Sequence, residues 1–197
     1  DVAWNEGGVS APALPVARAV QVGHDAIASV ATAIRSGRRI GILLRGAALT
    51  EGGLVAAGQV ATAGNVRLMC DTFAPRIQKG AGRVQVSRLP YFAEQLVEFM
   101  ADLEVLVLVG TKPPVTFFAY PGKPSWGTAE STEILHLAHA HEDGVAALQE
   151  LADDLHAASH QPAVAQFVID ATIGDKLDGF SIGRSIARHL PENAIIA

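Results

Sequence analysis

The chain has 197 residues, 49% of them apolar and 18% charged, enough for one ordinary domain with extensions. Its 20 acidic and 15 basic residues give a net charge of −5 with no basic block, which argues against a nucleic-acid or polyanion binder. A single cysteine excludes an internal disulfide framework and a four-cysteine zinc site, and no apolar run is long enough for a membrane helix.

Residues 1–22 carry Gly7-Gly8, Pro12 and Pro15 without a sustained period. Proline fixes its own backbone and biases its predecessor towards extended geometry, so an extended linker is expected, with Trp4, Val9, Leu14 and Val16 packed on a neighbour. The opening residues lack the basic-then-apolar order of a signal peptide and begin without methionine. A cytoplasmic and incomplete chain is the expectation.

From Gly23 the pattern turns helical, with Ile27, Val30, Ala31 and Ile34 at three- and four-residue steps and Ser36-Gly37 as the stop. Ile40-Gly41-Ile42-Leu43-Leu44 is too short for a helix and suits a strand buried on both faces. A helix is expected from about Gly53 to Ala63, then a strand at 66–70 ending in Cys70. Residues 72–89 read as irregular, with one short strand at Val84-Gln85-Val86. Pro90 suits the first turn of the next helix, where its missing N–H would be unpaired anyway. Val105-Leu106-Val107-Leu108-Val109 is the clearest strand. A proline-marked loop separates it from a strand at Ile134–Ala138, and a helix spans Glu142 to His156. Strands alternating with helices imply parallel crossovers and a sheet covered on both faces, here a three-layer αβα sandwich of Rossmann type with about six strands.

Beyond Gln161-Pro162 the residues from Val164 to Ile169 fit a strand or an apolar linker. A helix is expected through Phe180, Ile182, Ile186 and Leu190, and Ala194–Ala197 reads as a strand barely begun, as in an interrupted chain.

Several of these stretches resemble the middle domain of thiamine diphosphate-dependent enzymes of the acetolactate synthase and benzoylformate decarboxylase kind. The resemblance rests on Arg38-Arg39-Ile40-Gly41-Ile42-Leu43-Leu44-Arg45-Gly46, on Gly80-Ala81-Gly82 with Arg88-Leu89-Pro90-Tyr91, and on Leu106–Gly110 with Pro114-Val115. It is most specific in Phe117-Phe118-Ala119-Tyr120-Pro121-Gly122-Lys123-Pro124. Asp1-Val2-Ala3-Trp4 resembles the exit of the family's pyrimidine-binding domain, and Leu190–Ile196 the first strand of its diphosphate-binding domain. The resemblance implies a linker at 1–22, a central α/β domain at 23–158, and at 159–197 a second linker with the start of the diphosphate-binding domain. It implies a parent that decarboxylates a 2-oxo acid as a lyase or transferase, using thiamine diphosphate and Mg2+ held by the outer domains, in a homo-oligomer. The chain itself is then expected to hold no catalytic residue, no metal and no cofactor. The family's metal motif is Gly-Asp-Gly with a later Asn. Gly174-Asp175-Lys176 imitates it poorly, because a lysine would oppose a divalent ion.

A parallel sheet opens its ligand crevice beyond the carboxyl ends of its strands, where strand order switches. Gly46, Ala47, Thr72, Gly110, Thr111 and Lys112 fall at such ends. In relatives that bind FAD or ADP in this domain such loops contribute contacts, since glycine lets backbone N–H groups approach phosphate and a lysine adds charge. No Gly-x-Gly-x-x-Gly follows either strand, so the glycines more simply end the strands. A stand-alone NAD-dependent enzyme is a more distant alternative that lacks the same fingerprint. Three histidines, His136, His139 and His141, could bind zinc if they converged, but strand alternation turns His136 and His139 to opposite faces. Cys70 ends an apolar strand and reads as core rather than nucleophile. The rings of Phe117, Phe118 and Tyr120 are expected either against a neighbouring domain or folded over the sheet.

Overall fold

The structure is a computed structural model, and it describes residues 6–118, 120–168 and 176–196. Asp1–Trp4, Ala119, Ile169, the Gly174-Asp175 pair and Ala197 lie outside the described residues.

Helix α1 (His24–Arg35) leads into strand β1 (Ile40–Leu44). A tight 3-10 turn, Gly46–Leu49, feeds α2 (Glu51–Ala61) and β2 (Val66–Cys70). After a long irregular segment come β3 (Ser87–Arg88), α3 (Ala93–Met100) and β4 (Val105–Val109). A loop without helix leads to β5 (Glu133–Ala138), α4 (Gly144–Asp154) and finally α5 (Gly179–His189). The strands form one parallel sheet in the order β3-β2-β1-β4-β5, so strand order reverses between β1 and β4.

That order fixes the layers. The β1-α2-β2 crossover runs towards one edge of the sheet, whereas β3-α3-β4 runs back the other way. Both turning right-handed, their helices must lie on opposite faces. Accordingly Ile42, Leu44, Val107 and Val109 pack beneath α1, α2 and α4. Leu43, Met69, Leu106 and Leu108 face α3 through Leu96 and Met100. All five residues of β1 and of β4 are buried, as a strand covered on both faces requires. The loop from β4 to β5 runs in the same sense as α3 and lies on its face, where Gly127 sits so close to Leu96 that a Cβ would approach that side chain's Cδ2 to 2.8 Å.

The expected sandwich is thus present, with five strands among the described residues where about six were expected. Val84 makes only an isolated antiparallel bridge to Val164, and the strand of that region is the two-residue β3 beyond it. No strand forms at 164–168 or 194–196. Pro90 stands ahead of α3 instead of in its first turn, because Tyr91 and Phe92 leave the helical path to join an aromatic cluster. In the linker, Val9, Leu14 and Val16 are exposed rather than packed, and among the described residues a parallel bridge from Val20 to Glu142 and the packing of Val22 on the core tie the segment to the domain. Among the described residues, no helix is long and apolar enough to cross a membrane.

Candidate functional site

The carboxyl ends of β1, β2 and β4 meet at the reversal of strand order, and the residues read as nucleotide contacts do gather there. Several of their polar groups are already engaged. The Gly110 N–H, turned by a left-handed φ of 70° beyond the end of β4, donates to the Ala138 carbonyl at 2.8 Å. The Ala47 carbonyl accepts from Thr50 through both its N–H (3.0 Å) and its hydroxyl (2.7 Å). The Thr72 hydroxyl faces away from the crevice and donates to the carbonyls of Leu89 and Pro90. Lys112 is exposed.

Asp71 takes the middle of the site. Its carboxylate accepts from the Arg45 guanidinium at 3.1 Å and from the Thr111 hydroxyl at 3.1 and 3.3 Å. A carboxylate held there opposes a phosphate by charge, and it occupies the cation and hydroxyl a phosphate would use. Gly46, Ala47, Gly110 and Thr111 therefore sit at the strand ends, around a polar knot of Arg45, Asp71 and Thr111. Asp71→Ala should cost about 1–2 kcal/mol, read as a lowered urea midpoint, because Thr111, only 8% exposed, loses its acceptor. Arg45, half exposed, returns to water at little cost. Asp71→Asn should recover part of the loss, since an amide oxygen can still accept from Thr111.

The histidines depart from expectation. The rings of His136 and His139 stack at 4.6 Å between centroids and those of His139 and His141 at 6.0 Å. Alternation fails because the register with β4 slips at the end of β5, Val109 pairing with Ala138, and the Glu142 carboxylate then takes the His139 N–H at 2.7 Å. Parallel rings present faces to one another rather than converging lone pairs. Among the described residues no group of three or more His, Cys, Asp or Glu side chains is placed to hold a metal ion.

His136 is exposed by area, yet the packing about its ring desolvates it, and this, with the neighbouring His139 and against Glu142, holds its pKa below the ordinary imidazole value. The folded chain therefore binds this proton more weakly than the unfolded chain. The stability contributed by the neutral ring is complete above about pH 6.5 and is lost as pH falls through the folded pKa. His139→Ala should raise the His136 pKa in an NMR titration, and His136→Gln should flatten the fall of the urea midpoint below that pH.

Cys70 is buried, and desolvation pushes its thiol pKa up despite the opposing charge of Arg88, so it is a core residue rather than a nucleophile.

An aromatic cluster on the α3 side was only half legible in the sequence. Phe117 lies 4.8 Å from Phe73 and stacks on Tyr91 at 5.6 Å, while Phe118 meets Tyr91 at 5.9 Å and Tyr120 at 5.5 Å. Tyr91, Phe92, Phe117, Phe118 and Tyr120 line a pocket of about 190 Å³, walled on one side by the Glu94–Lys123 ion pair. The hydrogen bond from Lys123 holds the Glu94 carboxyl below its usual range. The rings bury one another only in part: Phe73 is 61% exposed and Phe117 47%. Phe73, Tyr91 and Phe92 escaped sequence reasoning because they come from separate segments; their shared position beyond strand carboxyl ends was the available signal. A larger, open groove of about 570 Å³ runs between α1 and the start of β5. Its Ser29 and Thr32 hydroxyls are spent on the helix's own carbonyls, and its Arg38 on Glu133.

No protein-family model matches the chain. Over its whole length it is 36% identical to "Putative acetolactate synthase large subunit IlvX" of Mycobacterium tuberculosis, of which it spans 37%. The solved structure of the Rhodococcus jostii thiamine diphosphate-dependent 4-hydroxybenzoylformate decarboxylase is similar with a TM-score of 0.59, covering 93% of this chain and 37% of that one at 17% identity, a likeness of fold. The chain spans little more than a third of either protein. Along its full length the chain is thus similar in sequence to part of an acetolactate synthase large subunit-like protein, and in fold to a domain of a thiamine diphosphate-dependent decarboxylase.

Proposed function

We propose that this domain is an architectural spacer: it holds pyrimidine- and diphosphate-binding domains of a cytoplasmic parent enzyme at a fixed separation and carries no reaction of its own. The observation behind this reading is the Arg45–Asp71–Thr111 knot, which fills the one crevice where a sheet of this topology takes a ligand. The residues described here do not fit a metal-bound diphosphate. The carboxylate at the crevice is spent on Arg45 and Thr111. No step of thiamine chemistry is therefore assigned to them. The parent, by its likeness to acetolactate synthase and a benzoylformate decarboxylase, would decarboxylate a 2-oxo acid and use thiamine diphosphate with Mg2+, the cofactor carrying the hard chemistry.

The test is turnover and binding by the purified chain. Supplied with thiamine diphosphate, Mg2+ and either pyruvate or benzoylformate, it should release no carbon dioxide above the blank. Titration with FAD or ADP should give no heat beyond dilution. Turnover would overturn the spacer reading, whereas binding of either nucleotide would turn the domain into a regulatory module of the same fold.

A further inference from the structure

The chain is net acidic, yet three exposed cations, Arg88, Lys79 and Lys112, stand near the strand ends that carry the aromatic cluster. The Arg88 guanidinium donates to the Thr72 carbonyl at 2.7 Å, one residue before Phe73. Lys79 lies close enough to the end of β2 for its charge to act on Cys70. Lys112 follows Thr111 on the Asp71 knot and opens the loop that bears Phe117 and Phe118. Among the described residues none of these three cations has a carboxylate within ion-pair distance; the pairs formed on this side use Arg45, Arg83 and Lys123 instead.

Half-exposed aromatics packed edge to face are preorganised anchors that lose little entropy on binding, and peripheral cations select and steer an oppositely charged partner. The recess on this face, about 190 Å³, is smaller than the roughly 300 Å³ at which small-molecule pockets begin, though it can admit a single side chain. The remainder is a shallow aromatic surface. Size thus favours a polypeptide over a nucleotide, and charge favours an acidic one.

We propose that this face docks an acidic polypeptide segment that inserts one aromatic or leucine side chain between Tyr91, Phe117 and Phe118. The inference rests on the spacer reading, which requires a neighbour to cover some face of the domain, and it names that face and the partner's chemistry. It is read by binding and the spacer reading by turnover, so the failure of either is recognisable apart from the other.

The experiment measures fluorescence anisotropy of the full chain with a short labelled peptide in which one Trp stands among glutamates. Three further probes are the same peptide with Ala for Trp, the same peptide with lysines for glutamates, and an oligothymidylate. The acidic Trp peptide should bind at least about tenfold more tightly than any of them, and its affinity should fall as salt rises. Phe117→Ala, or Lys79→Glu with Lys112→Glu, should weaken it by at least about tenfold, while Arg18→Glu in the exposed linker leaves it unchanged. All are exposed positions, and the comparison of probes on the unaltered chain stands even where a variant fails to fold. Equal affinity for the acidic and basic peptides, indifference to Phe117→Ala, or no binding at all would overturn the proposal. Tighter binding of oligothymidylate would overturn it in favour of a stacking platform for single-stranded nucleic acid.

Discussion

Leu108→Ala should lower the stability of the chain by about 3 kcal/mol, within the 2–5 kcal/mol range of buried leucine truncations, visible as a large fall in the urea midpoint followed by far-UV circular dichroism. Leu108 is fully buried in β4, an interior strand, and its side chain belongs to the smaller of two core layers, with Leu43, Met69, Leu96, Met100 and Leu106. The helix over that layer is α3, of only 8 residues, joined there by the β4–β5 loop. So short a helix has no stability apart from its packing, so a cavity beneath it weakens both the layer and the helix. The opposite layer is roofed by three helices and shares the loss less directly. Val55→Ala, on α2 but 40% exposed, should change the midpoint by less than about 0.5 kcal/mol equivalent.

The same asymmetry explains what the sequence reveals and what it conceals. β1 and β4 are legible because a strand buried on both faces must be apolar at every position, and each is an unbroken five-residue apolar run. Helices α1, α2 and α4 show their packed faces as periodic apolar residues for the same reason. β3 has no such signature: Ser87 and Arg88 are exposed, and their pairing is set by the free edge of β2 rather than by their own hydrophobicity. The apolar Val84-Gln85-Val86 nearby therefore drew an assignment that belongs three residues later. At the candidate site, the strand pattern alone places Gly46, Gly110 and Thr111 beyond the carboxyl ends of β1 and β4. It could not foresee that Asp71 would pair with Arg45, 26 residues away, because that pairing follows from the register of β1 against β2. The stacking of His136 on His139 was likewise hidden in a register slip that no local pattern records.

Gly53→Ala should destabilise the chain by about 1–3 kcal/mol, although helix propensity alone would credit the change with a gain of about 1 kcal/mol. A Cβ at Gly53 would lie 2.5 Å from the Ala48 Cα and 2.7 Å from its carbonyl oxygen. These are backbone atoms of the 3-10 turn, held by the bonds from Ala48 N–H to the Arg45 carbonyl and from Thr50 N–H to the Ala47 carbonyl, so no rotamer change relieves the overlap. At the preceding position of the same helix a Cβ at Gly52 meets nothing within 4 Å, and Gly52→Ala should be neutral or stabilising by a few tenths of a kcal/mol. Adjacent, chemically identical substitutions thus acquire opposite signs. The turn that Gly53→Ala displaces begins at Arg45, whose guanidinium completes the knot with Asp71 and Thr111. The loss in the Gly53→Ala, Asp71→Ala double variant should therefore fall short of the sum of the single losses by at least about 0.5 kcal/mol, the coupling expected of residues that share a network. Strict additivity in urea denaturation would instead separate the turn from the polar knot and leave the crevice filled by side-chain charge alone.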